Sequence, residues 1–129
     1  MYPVEFLYTR DHEWVRVEED VASIGITEHA EKELGDIVFV ELPVLGAQIT
    51  AKDSLGTVES VKAVADVYSP VSGEVIAVNP KVQSAPETVN SDPHGEGWLV
   101  QLRIKDRNET DGLMSSEEYE EYLKGGAGR

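Results

Sequence analysis

The residue whose side chain is best placed for chemistry is a lysine between two valine-rich stretches. Lys62 lies in the segment GTVESVKAVADVYSP, residues 56–70, which predicts two short β-strands that meet at a turn. A bend between two strands anchored in a core projects its central side chain into solvent. The sequence therefore predicts an exposed amine on a rigid platform, within reach of another protein. Most lysines in turns only keep the turn soluble, and the turn by itself favours that simpler interpretation.

The chain lacks most of the side-chain patterns that enzymes use. It has no cysteine, which excludes disulfides, thiol nucleophiles and thiolate metal ligands. Its histidines, His12, His29 and His94, have no metal-ligand spacing, and we interpret them as surface residues. The sequence has no glycine-rich phosphate loop and no serine in a nucleophile-elbow pattern. We therefore expect no catalytic residue and no metal site.

The composition limits the class of partner. The chain has 129 residues, 25 acidic and 11 basic, and a net charge of −14. Nucleic acid is an unsuitable partner, because phosphate binding needs basic patches. The acidic surface keeps the chain soluble and can also speed encounters with basic partner surfaces.

Neither a membrane segment nor a targeting segment is apparent in the sequence. No apolar run approaches the roughly 20 residues that a membrane helix needs. The N-terminal segment MYPVEFLYTRDHEW has neither a basic start followed by an apolar core nor an arginine-rich amphipathic pattern. We therefore expect no membrane association and a cytoplasmic location in a bacterium.

Short strands dominate the predicted secondary structure. Alternating apolar residues and apolar runs bounded by turn formers predict strands at residues 12–18, 21–26, 37–43, 48–50, 54–60, 63–70, 73–79 and 97–104. Trp14 and Trp98 alternate with polar neighbours in these strands and are predicted to be core or near-core aromatics.

Two helices are predicted beside the strands. Residues 27–35 begin with a threonine N-cap and end at a glycine, and Ala30 should face inward together with Leu34. A second helix follows Ser115, which forms a capping box with Glu118. Both helices should lie at the periphery of the strands.

The predicted elements form a mainly β fold, a small flattened β-barrel or sandwich with a short internal helix and a C-terminal helix. The proline-rich connection 79–97 predicts a single helical turn at 86–90. We predict one domain over residues 1–124, followed by a flexible tail over 125–129.

A longer segment around Lys62 carries a family resemblance. GTVESVKAVADVYSPVSGEV resembles the attachment segment of lipoyl and biotinyl carrier domains, in which the modified lysine tops a β-hairpin. In that family a glycine follows eleven residues after the lysine, here Gly73. Val61 and Ala63 flank Lys62, whereas the biotinyl branch has methionine on both sides and the 2-oxo-acid dehydrogenase branch has aspartate before its lysine.

The rest of the chain resembles one family within that group, the glycine cleavage system H proteins. DHEWVRVEEDVASIGITEHAEKELGDIVFVELPVLG resembles the N-terminal half of that family, and ETVNSDPHGEGWLVQLRI with SSEEYEEYL resembles its C-terminal half. The chain departs from the family pattern at His94, where tyrosine is usual, and at Ala65, where a small polar residue is common. The resemblance implies a fold of the lipoyl-domain type.

The resemblance also implies a carrier protein rather than an enzyme. Lipoic acid would be attached by an amide to Lys62, and the chain would carry the aminomethyl group of glycine from glycine decarboxylase to an aminomethyltransferase. Dihydrolipoamide dehydrogenase and lipoate-attachment enzymes are the other implied partners. We expect the carrier to be a monomer.

Two acids match the family's pattern near the attachment lysine. They are Glu13 in the HEW segment and Asp66, four residues after Lys62. A cleft that holds the loaded arm would slow hydrolysis by excluding water, and carboxylates there would bind the arm's amine. We hypothesise that Glu13 and Asp66 contact that amine. In a chain with 25 acids, solvated surface carboxylates are the competing interpretation.

Three other functions stay open at this point. The same carrier could act as a donor or relay that supplies lipoate to 2-oxo-acid dehydrogenases. An unmodified β-sandwich could bind proteins through its acidic face and keep Lys62 as a free amine. A hydrolase that uses Asp66, Glu13 and His12 has the least support, because nothing in the sequence places them with a nucleophile.

Overall fold

The computed structural model describes residues 2–125 as a mainly β molecule. The strands are β1 (Leu7–Tyr8), β2 (Glu13–Glu18), β3 (Val21–Ile26), β4 (Ile37–Glu41), β5 (Gln48–Ile49), β6 (Ser54–Ser60), β7 (Val64–Tyr68), β8 (Gly73–Val78) and β9 (Val100–Ile104). The α-helices are α1 (Glu28–Leu34), α2 (Pro80–Ser84), α3 (Thr88–Ser91) and α4 (Ser116–Gly125), and a 3₁₀ helix spans Arg107–Gly112.

The strands form two antiparallel sheets. The larger sheet has the order β1-β2-β3-β9-β8-β5, and the smaller has the order β4-β6-β7. The β2–β3 hairpin closes through a turn at Glu19 and Asp20, where Glu18 pairs with Val21 and Glu19 takes a φ of 57°. Each predicted strand has its counterpart in one of these sheets. Of the two predicted architectures, the sandwich is the one observed.

One apolar core joins the two sheets. Val15, Ile24 and Leu102 of the larger sheet belong to the same buried cluster as Val58 and Val67 of the smaller sheet. Full burial of a side chain of this size contributes about 1.5–3 kcal/mol. Strands β6 and β7 therefore start from a rigid base.

A second buried cluster consists of aromatic side chains and includes Phe6, Tyr8, Trp14 and Tyr119. The rings of Tyr8 and Tyr119 stack with centroids 4.8 Å apart, which packs α4 against the N-terminal strand. The indole N–H of Trp14 donates to the carbonyl of Pro93 at 2.8 Å. The long connection thus covers the outer side of β2, and the prediction that Trp14 is a core aromatic is confirmed.

Both predicted helices are confirmed, together with their caps. The Thr27 hydroxyl accepts a hydrogen bond from the Ala30 N–H at 3.2 Å, and Ala30 and Leu34 pack against the core. In the capping box before α4, the Glu118 N–H donates to the Ser115 hydroxyl at 3.2 Å and the Ser115 N–H donates to the Glu118 carboxylate at 2.9 Å.

The connection between β8 and β9 contains more helix than the sequence analysis predicts. The predicted turn at 86–90 corresponds to α3, which begins two residues later. Helix α2 is an unpredicted element. Its local signal is readable, because the Asn79 side chain accepts from the Lys81 N–H at 3.0 Å and Pro80 opens the first turn.

Two other short elements are not predicted from the sequence. Strand β1 exists through its pairing with β2, Leu7 opposite Val15 and Tyr8 opposite Trp14, which a two-residue segment cannot signal locally. The 3₁₀ helix at Arg107–Gly112 is the other. Gly125 is the last residue of α4, and the rest of the predicted tail lies outside the described residues.

None of the helices within residues 2–125 has the length and apolar character that a membrane span requires. The bacterial cytoplasmic location stays a prediction.

Candidate functional site

Lys62 lies at the exposed turn that joins β6 to β7. The turn is closed by a hydrogen bond from the Ser60 N–H to the Ala63 carbonyl at 2.7 Å. The buried Ser60 hydroxyl accepts from the N–H groups of Lys62 at 3.2 Å and Ala63 at 3.0 Å. Ser60 therefore fixes the turn from inside, a role that the sequence analysis does not assign to it.

The valines around Lys62 divide into two pairs. Val58 and Val67 are buried in the core, as expected for strands that anchor a rigid turn. Val61 and Val64 are 71% and 64% exposed. The turn therefore presents two apolar side chains to solvent beside the amine.

The turn is also supported from the side by the junction of α1 and β4. The Val61 N–H donates to the Asp36 carbonyl at 3.1 Å. Gly35 takes a φ of +85°, and a Cβ atom built there would lie 3.7 Å from Cε of Lys62. The Asn90 amide binds the carbonyl of Gly35 and the N–H of Ile37 at 2.9 Å each. The outer end of the Lys62 side chain therefore lies beside a junction that is held by hydrogen bonds.

Glu13 occupies the first position of β2 and is 3% exposed. The Thr9 hydroxyl donates to its Oε1 at 2.6 Å, and the Tyr68 N–H donates to its Oε2 at 3.1 Å. Burial raises the pKa of Glu13 to about 7, against the lowering effect of these two hydrogen bonds, and the nearby Asp11 raises it slightly further. Glu13 is therefore a buried carboxyl that can change its charge near neutral pH.

A cleft of about 470 Å³ lies beside Glu13, and we call it the Glu13 cleft. Its lining includes Glu13, Arg10, Asp11, Lys52, Tyr68, Pro70 and Leu113. The walls thus combine carboxyl groups and cations with apolar surface. Strand β7 links the cleft to the Lys62 turn, because Tyr68 ends that strand and lines the cleft.

Asp66 lies on β7 between the Lys62 turn and the Glu13 cleft. It is exposed, and the Ser54 hydroxyl donates to its Oδ1 at 3.2 Å. Alternate residues of a strand share a face, so Val64, Asp66 and Tyr68 form one row over about 13 Å. Asp66 is not among the residues that line the cleft. Asp66 therefore lies outside the lining of the cleft, two residues before Tyr68 on the same strand.

The three histidines lie at the surface as partly exposed residues, and each also contacts other side chains or the backbone. His12 has a φ of 72°, its Nδ1 lies 2.7 Å from the Tyr119 hydroxyl, and burial lowers its pKa. The rings of His12 and His29 lie 4.5 Å apart. His94 accepts a hydrogen bond from the Glu28 N–H at 3.1 Å and so caps α1.

The arrangement gives no support to the hydrolase alternative. His12 contacts Tyr119, Glu13 contacts Thr9 and Tyr68, and Asp66 contacts Ser54, so the three candidate residues have separate partners. Within residues 2–125, no three His, Cys, Asp or Glu side chains are arranged to hold a metal ion.

Comparison with known proteins identifies close relatives. The family described as Glycine cleavage H-protein matches residues 6–126 of the chain. The glycine cleavage system H protein of Rubrobacter xylanophilus is 54% identical over 122 residues, which cover 95% of this chain and 94% of the relative. The glycine cleavage system H protein of Teredinibacter turnerae is 55% identical over 116 residues, which cover 89% of each chain.

A solved structure extends this similarity to the fold. The crystal structure of a glycine cleavage system H protein from Mycobacterium marinum has a TM-score of 0.89 to this chain at 35% sequence identity. The match covers 95% of this chain and 99% of that chain. The mainly β sandwich of the lipoyl-domain type is thus shared over nearly the entire length of both.

Proposed function

The chain belongs to the glycine cleavage H-protein family, and we propose that it carries the aminomethyl group of glycine on a lipoyl group attached to Lys62. Glycine decarboxylase would load the arm, and an aminomethyltransferase would unload it. Dihydrolipoamide dehydrogenase and lipoate-attachment enzymes complete the set of partners. The chain acts as a monomeric carrier. It needs no catalytic residue of its own, because lipoate supplies the redox-active disulfide that accepts the group.

The exposed position of Lys62 on a fixed turn is the observation that carries this proposal. The turn is closed by Ser60 and held by Asp36, so the backbone that carries the central lysine has a defined position on the surface. Acylation there removes one positive charge and does not require any core residue to move. The residues present therefore fit a covalently attached cofactor.

The neighbours of Lys62 suit recognition by an attachment enzyme. Val61 and Val64 offer exposed apolar surface on both sides of the amine. Since the turn is already ordered, little conformational entropy is lost when an enzyme docks on it. A lysine on an exposed helix, such as Lys32 in α1, lacks these apolar neighbours on a hairpin turn.

The proposal is tested by the intact mass of protein purified from lipoate-replete cells. We expect the wild-type chain and the control Lys32→Arg to gain the mass of one lipoyl group, and Lys62→Arg to gain none. The result that overturns the proposal is an unmodified wild-type chain, or a Lys62→Arg chain that is still lipoylated. An unmodified chain would instead favour the acidic protein-binding alternative.

We further propose that Glu13 and Asp66 contact the amine of the loaded arm. Glu13 supports this because a buried carboxyl on the wall of a cleft can pair with a cation away from water. Asp66 lies on the row of β7 side chains that leads from Lys62 to that cleft. Its exposure predicts a smaller contribution, because exposed ion pairs are weak.

The two contacts are tested by the rate at which the loaded protein loses its aminomethyl group at pH 7.5. We expect Glu13→Gln to lose it at least tenfold faster than wild type, which corresponds to about 1.4 kcal/mol, and Asp66→Asn about twofold faster. Glu74→Gln, an exposed acid on β8, is the matched control and should keep the wild-type rate. Equal rates in all four proteins would show that neither acid contacts the arm.

The lipoyl-relay alternative is not favoured by the comparisons, since the relatives are named for glycine cleavage. Both roles need Lys62 and differ in the acceptor of the lipoyl group. A relay predicts that 2-oxo-acid dehydrogenases lose their lipoyl groups when the gene for this chain is deleted, whereas a dedicated carrier of glycine cleavage predicts no such loss.

A further inference from the structure

We propose that Thr9 is a positioning residue that holds the Glu13 carboxylate in the orientation in which it receives the amine of the loaded arm. This inference rests on the proposed function, because it assigns a role to Thr9 through the proposed contact of Glu13.

The turn TRDHE, residues 9–13, connects Thr9 to Glu13 by three hydrogen bonds. The Thr9 N–H donates to the Glu13 carbonyl at 2.9 Å, and the Glu13 N–H donates to the Thr9 hydroxyl at 3.0 Å. The same hydroxyl then donates its hydrogen to Oε1 of Glu13 at 2.6 Å. One hydroxyl therefore fixes both the backbone and the carboxyl of Glu13.

The two oxygens of the Glu13 carboxyl have different donors. Oε1 receives the Thr9 hydroxyl, and Oε2 receives the Tyr68 N–H at 3.1 Å. In the part of the chain that the structure describes, these are the hydrogen bonds of this carboxyl. A carboxylate has about four lone-pair sites, so acceptor capacity remains on this carboxyl, which belongs to a residue that lines the cleft.

Thr9 is the side chain whose replacement can change the balance between the ionised and the neutral form of the Glu13 carboxyl. The Tyr68 donor is a backbone N–H and does not depend on the tyrosine side chain. A hydrogen bond donated to a carboxylate stabilises its ionised form, and an ammonium partner needs that form. Without the Thr9 hydroxyl, burial would favour the neutral acid more strongly.

The other charged and titratable groups around this carboxyl act from greater distance, because none of them is its hydrogen-bond partner in the described residues. They are Arg10, Asp11 and Lys52 on the cleft wall and Tyr119 on α4. Their electrostatic effect on the pKa of Glu13 is therefore the same in every Thr9 variant.

The test compares Thr9→Val, which removes the hydroxyl at nearly equal volume, with Thr9→Ser, which retains it. The first readout is the pKa of the Glu13 carboxyl in the unlipoylated protein, followed by carbon-13 NMR and assigned with Glu13→Gln. We expect Thr9→Val to raise this pKa by about one unit, and Thr9→Ser to leave it near the wild-type value. An unchanged pKa in Thr9→Val overturns the inference, and so does an equal rise in both variants.

The second readout is the pH profile of aminomethyl loss from the loaded protein. The aminomethyl group is protected above a midpoint pH. We expect this midpoint to rise by about one pH unit in Thr9→Val and to be unchanged in Thr9→Ser. A general loss of structure would accelerate release at all pH values without moving the midpoint, and that outcome also overturns the inference. Thr9→Ala replaces Thr9→Val should the valine variant fail to fold.

The outcomes separate this inference from the proposed contact itself. Faster release from Glu13→Gln with a wild-type profile from Thr9→Val would leave the Glu13 contact intact and remove the role of Thr9. Wild-type release from Glu13→Gln would remove the contact and, with it, the reason to position the carboxyl.

Discussion

At the scale of single residues, the contrast between Glu13 and Asp66 comes from their surroundings. Both are acids near the Lys62 hairpin, but Glu13 is 3% exposed and Asp66 is exposed. Burial disfavours the charged form of a carboxyl and raises the pKa of Glu13 to about 7. Glu13 can therefore be neutral when the cleft holds no cation and ionised when it holds one.

The raised pKa of Glu13 predicts a pH-dependent term in stability. The folded value of about 7 lies above the ordinary value of 4.5, so between these values the folded state binds more protons than the unfolded state. The contribution is fully present below pH 4.5 and is lost as the pH rises through 7. Relative to Glu13→Gln, we expect the wild-type free energy of unfolding to fall by about 3 kcal/mol over this range.

Urea unfolding at a series of pH values measures this term. Glu74→Gln is the matched control, because Glu74 is an exposed acid on β8 that does not line the Glu13 cleft, and its curve should run nearly parallel to the wild type. A Glu13→Gln curve that also runs parallel to the wild type would contradict the effect of burial on Glu13.

At the scale of elements, the site is built from one turn and one hairpin. The turn at residues 9–13 presents Glu13, and the β6–β7 hairpin presents Lys62 at its tip and Tyr68 at its base. The turn is held from behind, since the Thr27 N–H donates to the His12 carbonyl at 3.0 Å and the Tyr119 hydroxyl contacts the His12 ring. Helix α4 therefore supports the turn although it lies outside the cleft.

The support from α4 is tested by Tyr119→Phe, which removes one buried hydroxyl. That hydroxyl lies 2.7 Å from His12 Nδ1 and 2.8 Å from the Thr27 hydroxyl. We expect the free energy of unfolding to fall by about 1–3 kcal/mol, because buried polar atoms lose their partner. Tyr122→Phe, which removes an exposed bond to the Arg10 carbonyl, should cost no more than about 0.5 kcal/mol.

Urea unfolding compares the two tyrosine variants, and lipoylation of Lys62 should be unchanged in both. Equal stability losses in Tyr119→Phe and Tyr122→Phe would show that the buried hydroxyl has no special role.

At the scale of the whole molecule, the two-sheet architecture brings the two parts of the site together. Glu13 lies in the six-stranded sheet, and Lys62 lies at the tip of a hairpin of the three-stranded sheet. The hydrogen bond from the Tyr68 N–H to Glu13 joins these sheets across 55 positions of sequence. The shared apolar core keeps this junction rigid, so the distance from the lysine turn to the cleft is set by the fold.

The sequence by itself determined the local features of this protein. Strand alternation, the Thr27 cap and the Ser115–Glu118 capping box act between near neighbours, and each has the predicted form. The exposed turn at Lys62 follows from the same local rules. The family resemblance is also readable from the sequence, because it rests on motifs along the chain.

Only the tertiary structure decided which side chains are buried and what they contact. It leaves Val61 and Val64 exposed while Val58 and Val67 are buried, and it leaves the three histidines partly exposed. It also brings the Thr9 hydroxyl and the Tyr68 N–H to the Glu13 carboxyl as hydrogen-bond donors. Asn79 as an N-cap and Pro80 in the first turn are local signals for α2, although the sequence analysis does not predict this helix. Strand β1 has no local signal, because it is defined by its pairing with β2. Burial and long-range hydrogen bonds depend on segments far apart in sequence, and periodicity along one segment carries no information about them.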